Sequence, residues 1–357
     1  MNEGVPYTPM SRCVRVLPDT PIAGTRSRGP HLTGRKPASR QPRPPPGGTM
    51  PASFTLRAGA LPPALPVSLP ADSTAPRPIS DFAEAAAIVA RLESLTTRHD
   101  VLALGEHVAW RSLGTGTPLV LIHGGHGSWL HWVRNIEALA RQHTVYVPDL
   151  PGYGASGPLA TSPDDLDHLV RVTIASLDQL IGGTTPIHLA GFSFGGLVAS
   201  HIAAKRGHVR KLALLGSAGH GTPRRQTLAM VNWRRSTDEA AMLEDLRHNL
   251  RALMLHDPAQ IDALALTVHR DACVQTHFRS KNLSQSGSVA AVLAPLTVPM
   301  RFVWGEFDAT AQADLAGPVL QDGHPERAWE ALPGAGHWLM FERPDAVNSL
   351  MLAWFAD

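Results

Sequence analysis

Polar and apolar positions follow two different regimes along this chain, and they meet near residue 76. From Ile79 onward the pattern is periodic. Phe82, Ala85, Ala86, Ile88, Val89 and Leu92 recur at helical spacing behind Ser80, a hydroxyl suited to cap a helix N-terminus. Val101-Leu102-Ala103-Leu104 and Val108-Ala109-Trp110 read as two antiparallel strands of a hairpin about Gly105. Pro118-Leu119-Val120-Leu121-Ile122 contains no polar side chain, as expected of a strand buried on both faces. The pattern then predicts a helix over 129–141, a strand over 144–147 and a helix over 164–180. A strand over 186–190 leads into a helix from 194, and a further strand covers 209–215. Strands alternating with helices imply a parallel sheet with helices on both faces. Between Gly216 and about Gly287 the strand rhythm stops, and 224–256 and 261–278 read as helical. Strands return at 300–304 and 328–332.

Residues 1–75 form the other regime. Within the first 50, Arg12, Arg15, Arg26, Arg28, Arg35, Lys36, Arg40 and Arg43 face only Glu3 and Asp19, and Pro42, Pro44, Pro45 and Pro46 oppose any helix. No apolar face recurs, so a disordered Pro/Arg-rich tail is expected, or a true start at Met50. The prolines count against an amphipathic transit peptide, and no continuous apolar stretch follows the charges as in a secretory signal.

Over the full 357 residues, 43% hydrophobic and 17% charged content suits a globular enzyme, and a net charge of +2 gives no case for nucleic acid or an anionic membrane. No apolar run approaches the roughly 18 residues of a membrane span. Cys13 and Cys273 are the only cysteines, so no disulfide framework is expected, and a reducing cytoplasmic setting is the simplest reading.

The chemistry gathers at Gly191-Phe192-Ser193-Phe194-Gly195-Gly196. A strand precedes this stretch and a helix follows it, so Ser193 stands at a corner too tight for side chains at Gly191 and Gly195. Such a corner lifts the hydroxyl above the sheet and aims the helix's first N–H groups at the same place. This nucleophile elbow, the His123-Gly124-Gly125 loop and the turn Asp149-Leu150-Pro151-Gly152-Tyr153-Gly154-Ala155-Ser156 together resemble the α/β-hydrolase family. The resemblance covers about residues 100–357. It implies an α/β fold with a mostly parallel, twisted, eight-stranded-type sheet, helices on both faces and a helical cap insertion. The expected organisation is a tail (1–75), a first part of the core (76–216), a cap (217–287) and a second part of the core (288–357).

A serine hydroxyl needs a base to take its proton and an acid to orient that base. The order in the family is nucleophile, acid, histidine. Asp308, in Gly305-Glu306-Phe307-Asp308, and His337, in Gly334-Ala335-Gly336-His337, each follow a predicted strand and fill the two roles. Glu306 competes with Asp308, but the family's Gly-x-x-Asp spacing selects the latter. Asp149 precedes the elbow and reads as part of a structural turn. By the same resemblance, the backbone N–H groups of Gly125 and Phe194 form the oxyanion hole. His123 is expected to hold the loop by packing and hydrogen bonding. His123, His126, His131 and His143 lack the carboxylate or cysteine of a metal-ligand spacing, so neither a metal nor another cofactor is expected.

Gly336-His337-Trp338 further resembles the meta-cleavage product hydrolases, which split carbon–carbon bonds in vinylogous diketones. Those enzymes usually carry Asn before the nucleophile, where Phe192 stands here. Ester hydrolysis of a small-molecule substrate is therefore the first expectation, with carbon–carbon cleavage as the alternative and Phe192 and Trp338 as substrate-binding side chains. Serine at 193, in place of aspartate, disfavours the dehalogenase and epoxide hydrolase branches. A catalytically silent binding module is the reading from a different class.

Overall fold

The computed structural model describes residues 75–356, and the expected tail lies outside them. Eight strands form one sheet: β1 (Thr97–Ala103), β2 (Glu106–Leu113), β3 (Thr117–Ile122), β4 (His143–Pro148), β5 (Ile187–Phe192), β6 (Val209–Leu215), β7 (Met300–Gly305) and β8 (Arg327–Leu332). Their order is β1-β2-β4-β3-β5-β6-β7-β8, antiparallel at β1–β2 and β2–β4 and parallel elsewhere. The central strands have no solvent face, which is why their sequences are mostly apolar: β5 is buried at every residue, His188 included, and Leu119–Ile122 of β3 is too. The β1–β2 hairpin turns at Leu104 and Gly105, both at positive φ (53° and 85°), as a two-residue turn between right-twisted strands requires.

Helices Phe82–Leu95, Leu166–Ile181, Phe194–Arg206, Ala313–Gln321 and Pro344–Phe355 accompany the sheet. Two apolar clusters form the core. One holds Leu119, Leu121, Phe192 and Leu215 with Trp338 and Phe355; the other holds Val120, Ile122, Leu189 and Leu214 with Leu197 and Trp304. Alternate residues of one strand thus feed opposite clusters, the period of two made physical.

Three local expectations are corrected. The first helix is capped by Asp81, whose carboxylate accepts from Ala83 N at 2.8 Å, and not by Ser80. The helix expected over 129–141 is broken into a 3-10 turn, Trp129–Trp132, and one α-turn, Ile136–Leu139. Trp129, Leu130, His131 and Trp132 are all buried, and a regular helix cannot hide four consecutive side chains on one face. Over 224–256, regular α-helix is confined to Glu239–Asn249, capped by Asp238. Upstream, the Asn249 amide takes both the N–H and the C=O of Val231, at 2.8 and 2.9 Å, holding that stretch out of helix. Arg224 and Arg225 donate to the carbonyls of Ser284 and Glu306.

Candidate active site

The elbow is built by backbone strain and small residues. Ser193 sits at φ 54°, ψ −120°, a region that L-residues occupy only when the surroundings force it. Its N–H donates to Leu215 O at 2.9 Å, and its carbonyl accepts from Gly196 N and Ala218 N. A methyl group on Gly191 would collide with the Gly195 carbonyl, and one on Gly195 would collide with the carbonyls of His123 and Ile122. The chain passes through this corner because nothing larger than hydrogen is present at either flank.

Ser193 Oγ donates to His337 Nε2 at 2.9 Å. On the other side of the ring, His337 Nδ1–H faces both carboxylate oxygens of Asp308, at 2.9 and 3.0 Å. Asp308 follows β7 and His337 follows β8, so strands at one end of the sheet deliver two of the three groups and β5 delivers the third. Asp308 is wholly buried, and its Oδ1 also accepts from Thr310 N at 2.7 Å and Thr310 Oγ1 at 2.8 Å. Thr310, which the sequence reading missed, therefore anchors the carboxylate; the Asp-x-Thr spacing of a side chain bonding its own backbone two residues on is the signal that marks it. Gly216, at φ 53°, leaves room for the imidazole: an added methyl would lie 3.1 Å from His337 Nδ1.

The loop after β3 is held from three directions. His123 Nδ1–H donates to Gly124 O at 2.8 Å, while its Nε2 accepts from Leu150 N at 2.9 Å. Burial drops its pKa to about 4, so the ring is a neutral strut. Asp149 is likewise structural, one oxygen accepting from Trp129 N and the other from Ala155 N. His131, also missed from sequence, accepts from Gly124 N through Nδ1 at 3.2 Å. Among the described residues, no protein group takes the N–H of Gly125 or of Phe194. Ser280, from the segment between β6 and β7, stands over Gly125, and Phe278 packs against Phe194 and Tyr153 with ring centroids 5.5 and 5.8 Å apart.

Phe192 and Trp338 require correction as substrate-binding side chains. Both are completely buried. Phe192 packs its ring 5.0 Å from that of His337, and Trp338 spends its indole N–H on the His131 carbonyl at 2.9 Å. They brace the histidine and the loop from behind, with no surface left for a ligand.

Five residues after His337, Glu342 is fully buried. Burial pushes its carboxyl up to about 7, against the pull of three backbone N–H donors. No helix among the described residues is long and apolar enough to cross a membrane.

A mostly parallel eight-stranded sheet with a serine on a strained strand–helix corner, and a histidine and an aspartate beyond later strands, defines a class of protein. The model of the alpha/beta hydrolase family matches residues 119–350, and the chain belongs to that family. A dihydrolipoyllysine-residue acetyltransferase component of the acetoin cleaving system from Pseudomonas putida is 33% identical over 270 residues, 70% of this chain and 67% of that one. A 2-hydroxy-6-oxo-6-phenylhexa-2,4-dienoate hydrolase from Burkholderia cepacia is 28% identical over 262 residues, covering 68% of this chain and 89% of its own. Among solved structures, a meta-cleavage product hydrolase from Pseudomonas fluorescens IP01 superposes with a TM-score of 0.61 at 23% identity, over 72% of this chain and 97% of that one. An esterase from Rhodococcus sp. ECU1013 gives the same TM-score at 22% identity, over 72% and 98%.

Proposed function

We propose that the protein is a serine hydrolase that cleaves a small-molecule carboxylic ester through an acyl-enzyme. The observation that carries this reading is the continuous line Ser193–His337–Asp308, with about 2.9 Å at each junction. Ser193 Oγ attacks the ester carbonyl as His337 Nε2 takes its proton, forming a tetrahedral intermediate. The Gly125 and Phe194 N–H groups receive the oxyanion, and the Asp308 carboxylate stabilises the imidazolium without taking its proton. His337 then gives the proton to the departing alcohol oxygen as the carbon–oxygen bond breaks. A water, deprotonated by the same nitrogen, attacks the acyl carbon and releases the acid and free Ser193.

Because the groups act as one unit, Ser193→Ala and His337→Ala each remove nearly all activity on a p-nitrophenyl ester, and the double variant loses little more. Incubation with a slowly deacylating ester adds the acyl mass to the peptide bearing Ser193. Mass on another residue, or wild-type turnover in Ser193→Ala, overturns the assignment.

A second reading, carbon–carbon cleavage of a dienoate, is favoured by the names of several relatives, including the Burkholderia cepacia hydrolase, and by Gly336-His337-Trp338. Against it stands the buried Phe192, which supplies no hydrogen bond beside the nucleophile. Turnover of a 2-hydroxy-6-oxohexa-2,4-dienoate by wild type and not by Ser193→Ala, at a rate above that on esters, selects this second reading.

A further inference from the structure

The Glu342 carboxylate ties together two segments that are distant in sequence. Its Oε2 accepts from Gly336 N at 2.5 Å, and its Oε1 accepts from His256 N and Asp257 N, each at 2.8 Å. Gly336 immediately precedes His337; His256 and Asp257 lie where the segment between β6 and β7 leaves the short π-helix Leu250–Met254. One residue beyond His337, Trp338 N donates to Met254 O at 2.7 Å. Both backbone neighbours of His337 are thus hydrogen-bonded across to the same short stretch, one directly and one through Glu342. The two backbones also touch: a methyl group on Gly336 would stand 2.6 Å from His256 N and 2.9 Å from Glu342 Oε2.

We propose that Glu342 is a positioning residue, a clamp that fixes the loop bearing His337 against residues 254–257 and so holds the imidazole in line between Asp308 and Ser193. The proposal rests on the catalytic reading given above. A carboxylate suits the task because two oxygens offer enough lone pairs for three donors with no hydrogen of their own. Glutamine fits the same space but turns an NH2 group toward a backbone N–H, which leaves one side of the clamp repelled. The imidazole must keep hydrogen-bond distance at both ring nitrogens, and displacements of about 1 Å in such an arrangement cost on the order of a hundredfold in rate. The clamp also makes the histidine loop answer to the segment between β6 and β7, because His256 and Asp257 belong to that segment's chain.

The test uses the full chain, with Glu342→Gln and the milder Glu342→Asp, which keeps the charge but draws it back by one methylene. Two readouts are taken: the rate at which a fluorophosphonate labels Ser193, and kcat and KM on p-nitrophenyl acetate. In Glu342→Gln, labelling and kcat fall about tenfold or more while KM stays within about twofold; Glu342→Asp falls between it and wild type. The decisive arm repeats the substitution in His337→Ala rescued by free imidazole. A residue that acts through His337 has nothing left to position there, so Glu342→Gln changes the rescued rate by less than about twofold. An equal loss in both backgrounds marks a general structural effect and overturns the clamp. So does wild-type labelling in either variant. If Glu342→Gln does not fold, Glu342→Asp is read by the same criteria in both backgrounds. Failure of the fluorophosphonate to label wild-type protein sinks the serine hydrolase reading itself, and the clamp with it.

Discussion

At the scale of single residues, the proposed site divides into groups that would face the reaction and groups that hold those groups still. Thr310 belongs to the second kind. Its hydroxyl and its N–H both reach Asp308 Oδ1 in a wholly buried setting, where a lost donor to a charged acceptor costs about 1.5–3 kcal/mol. Thr310→Val keeps the shape and removes the hydroxyl. The expected outcome is a kcat on p-nitrophenyl acetate lower by about tenfold with KM little changed, since the orientation of Asp308 matters most once imidazolium charge develops. Wild-type kcat in the valine variant would show that the backbone N–H alone suffices. The sequence exposed Ser193, Asp308 and His337 because each sits in a short pattern beyond a strand. Thr310 was overlooked although the Asp-x-Thr spacing marks it locally. His131 and Glu342 were less legible, because their partners are backbone atoms of other segments, such as Gly124, His256 and Asp257, and no local pattern encodes where those lie. Phe192 and Trp338 were misread for a related reason: adjacency in sequence to Ser193 or His337 says nothing about which face of the side chain is open.

At the scale of elements, the strands were more legible than the helices. β6 was read to the residue, and β3, β5 and β7 were legible as mostly apolar stretches, because strands buried on both sides admit few polar residues, here His188 and Arg301. The helix Leu166–Ile181 followed from its one-sided apolar pattern. The stretch 129–141 defeated periodicity, because Trp129–Trp132 is buried all round and Asn135 is drawn into bonds with Met340 O and Asn348 Oδ1. Residues 224–238 defeated it for the opposite reason. Leu228, Met230 and Val231 are exposed, and the chain follows side chain–backbone bonds that no hydrophobic count registers.

At the scale of the whole molecule, buried titratable groups set how stability varies with pH. Burial drops His123 to about 4 and His269 to about 3, from an ordinary 6.5. Below pH 6.5 the unfolded chain binds protons that the folded one refuses, so these two withdraw stability as pH falls from about 6.5. Glu342 works the other way. Its carboxyl, raised to about 7 from 4.5, is protonated more readily folded than unfolded, so it adds stability as pH falls from about 7 to 4.5. Over pH 4.5–6.5 the opposed terms partly cancel, each amounting to about 1 kcal/mol per pH unit. Removing one unmasks the other: in Glu342→Gln the unfolding free energy declines more steeply with acid than in wild type across that window. Parallel slopes in urea titrations of the two proteins at a series of pH values would count against this account.

The corner at Ser193 has a thermodynamic consequence that runs against usefulness. A residue held at φ 54° and ψ −120° raises the free energy of the native state by about 1–3 kcal/mol, and every molecule carries that cost whether or not it meets a substrate. Alanine in its place keeps the cost, because the penalty comes from Cβ; glycine removes it and gives back only part through a more flexible unfolded chain. Ser193→Gly therefore outlasts Ser193→Ala on heating, by a few degrees in melting temperature, although both lack the proposed nucleophile. Were glycine no more heat-resistant than alanine, the corner would be at rest. The serine at this corner therefore costs stability that an inert version of the same fold would keep.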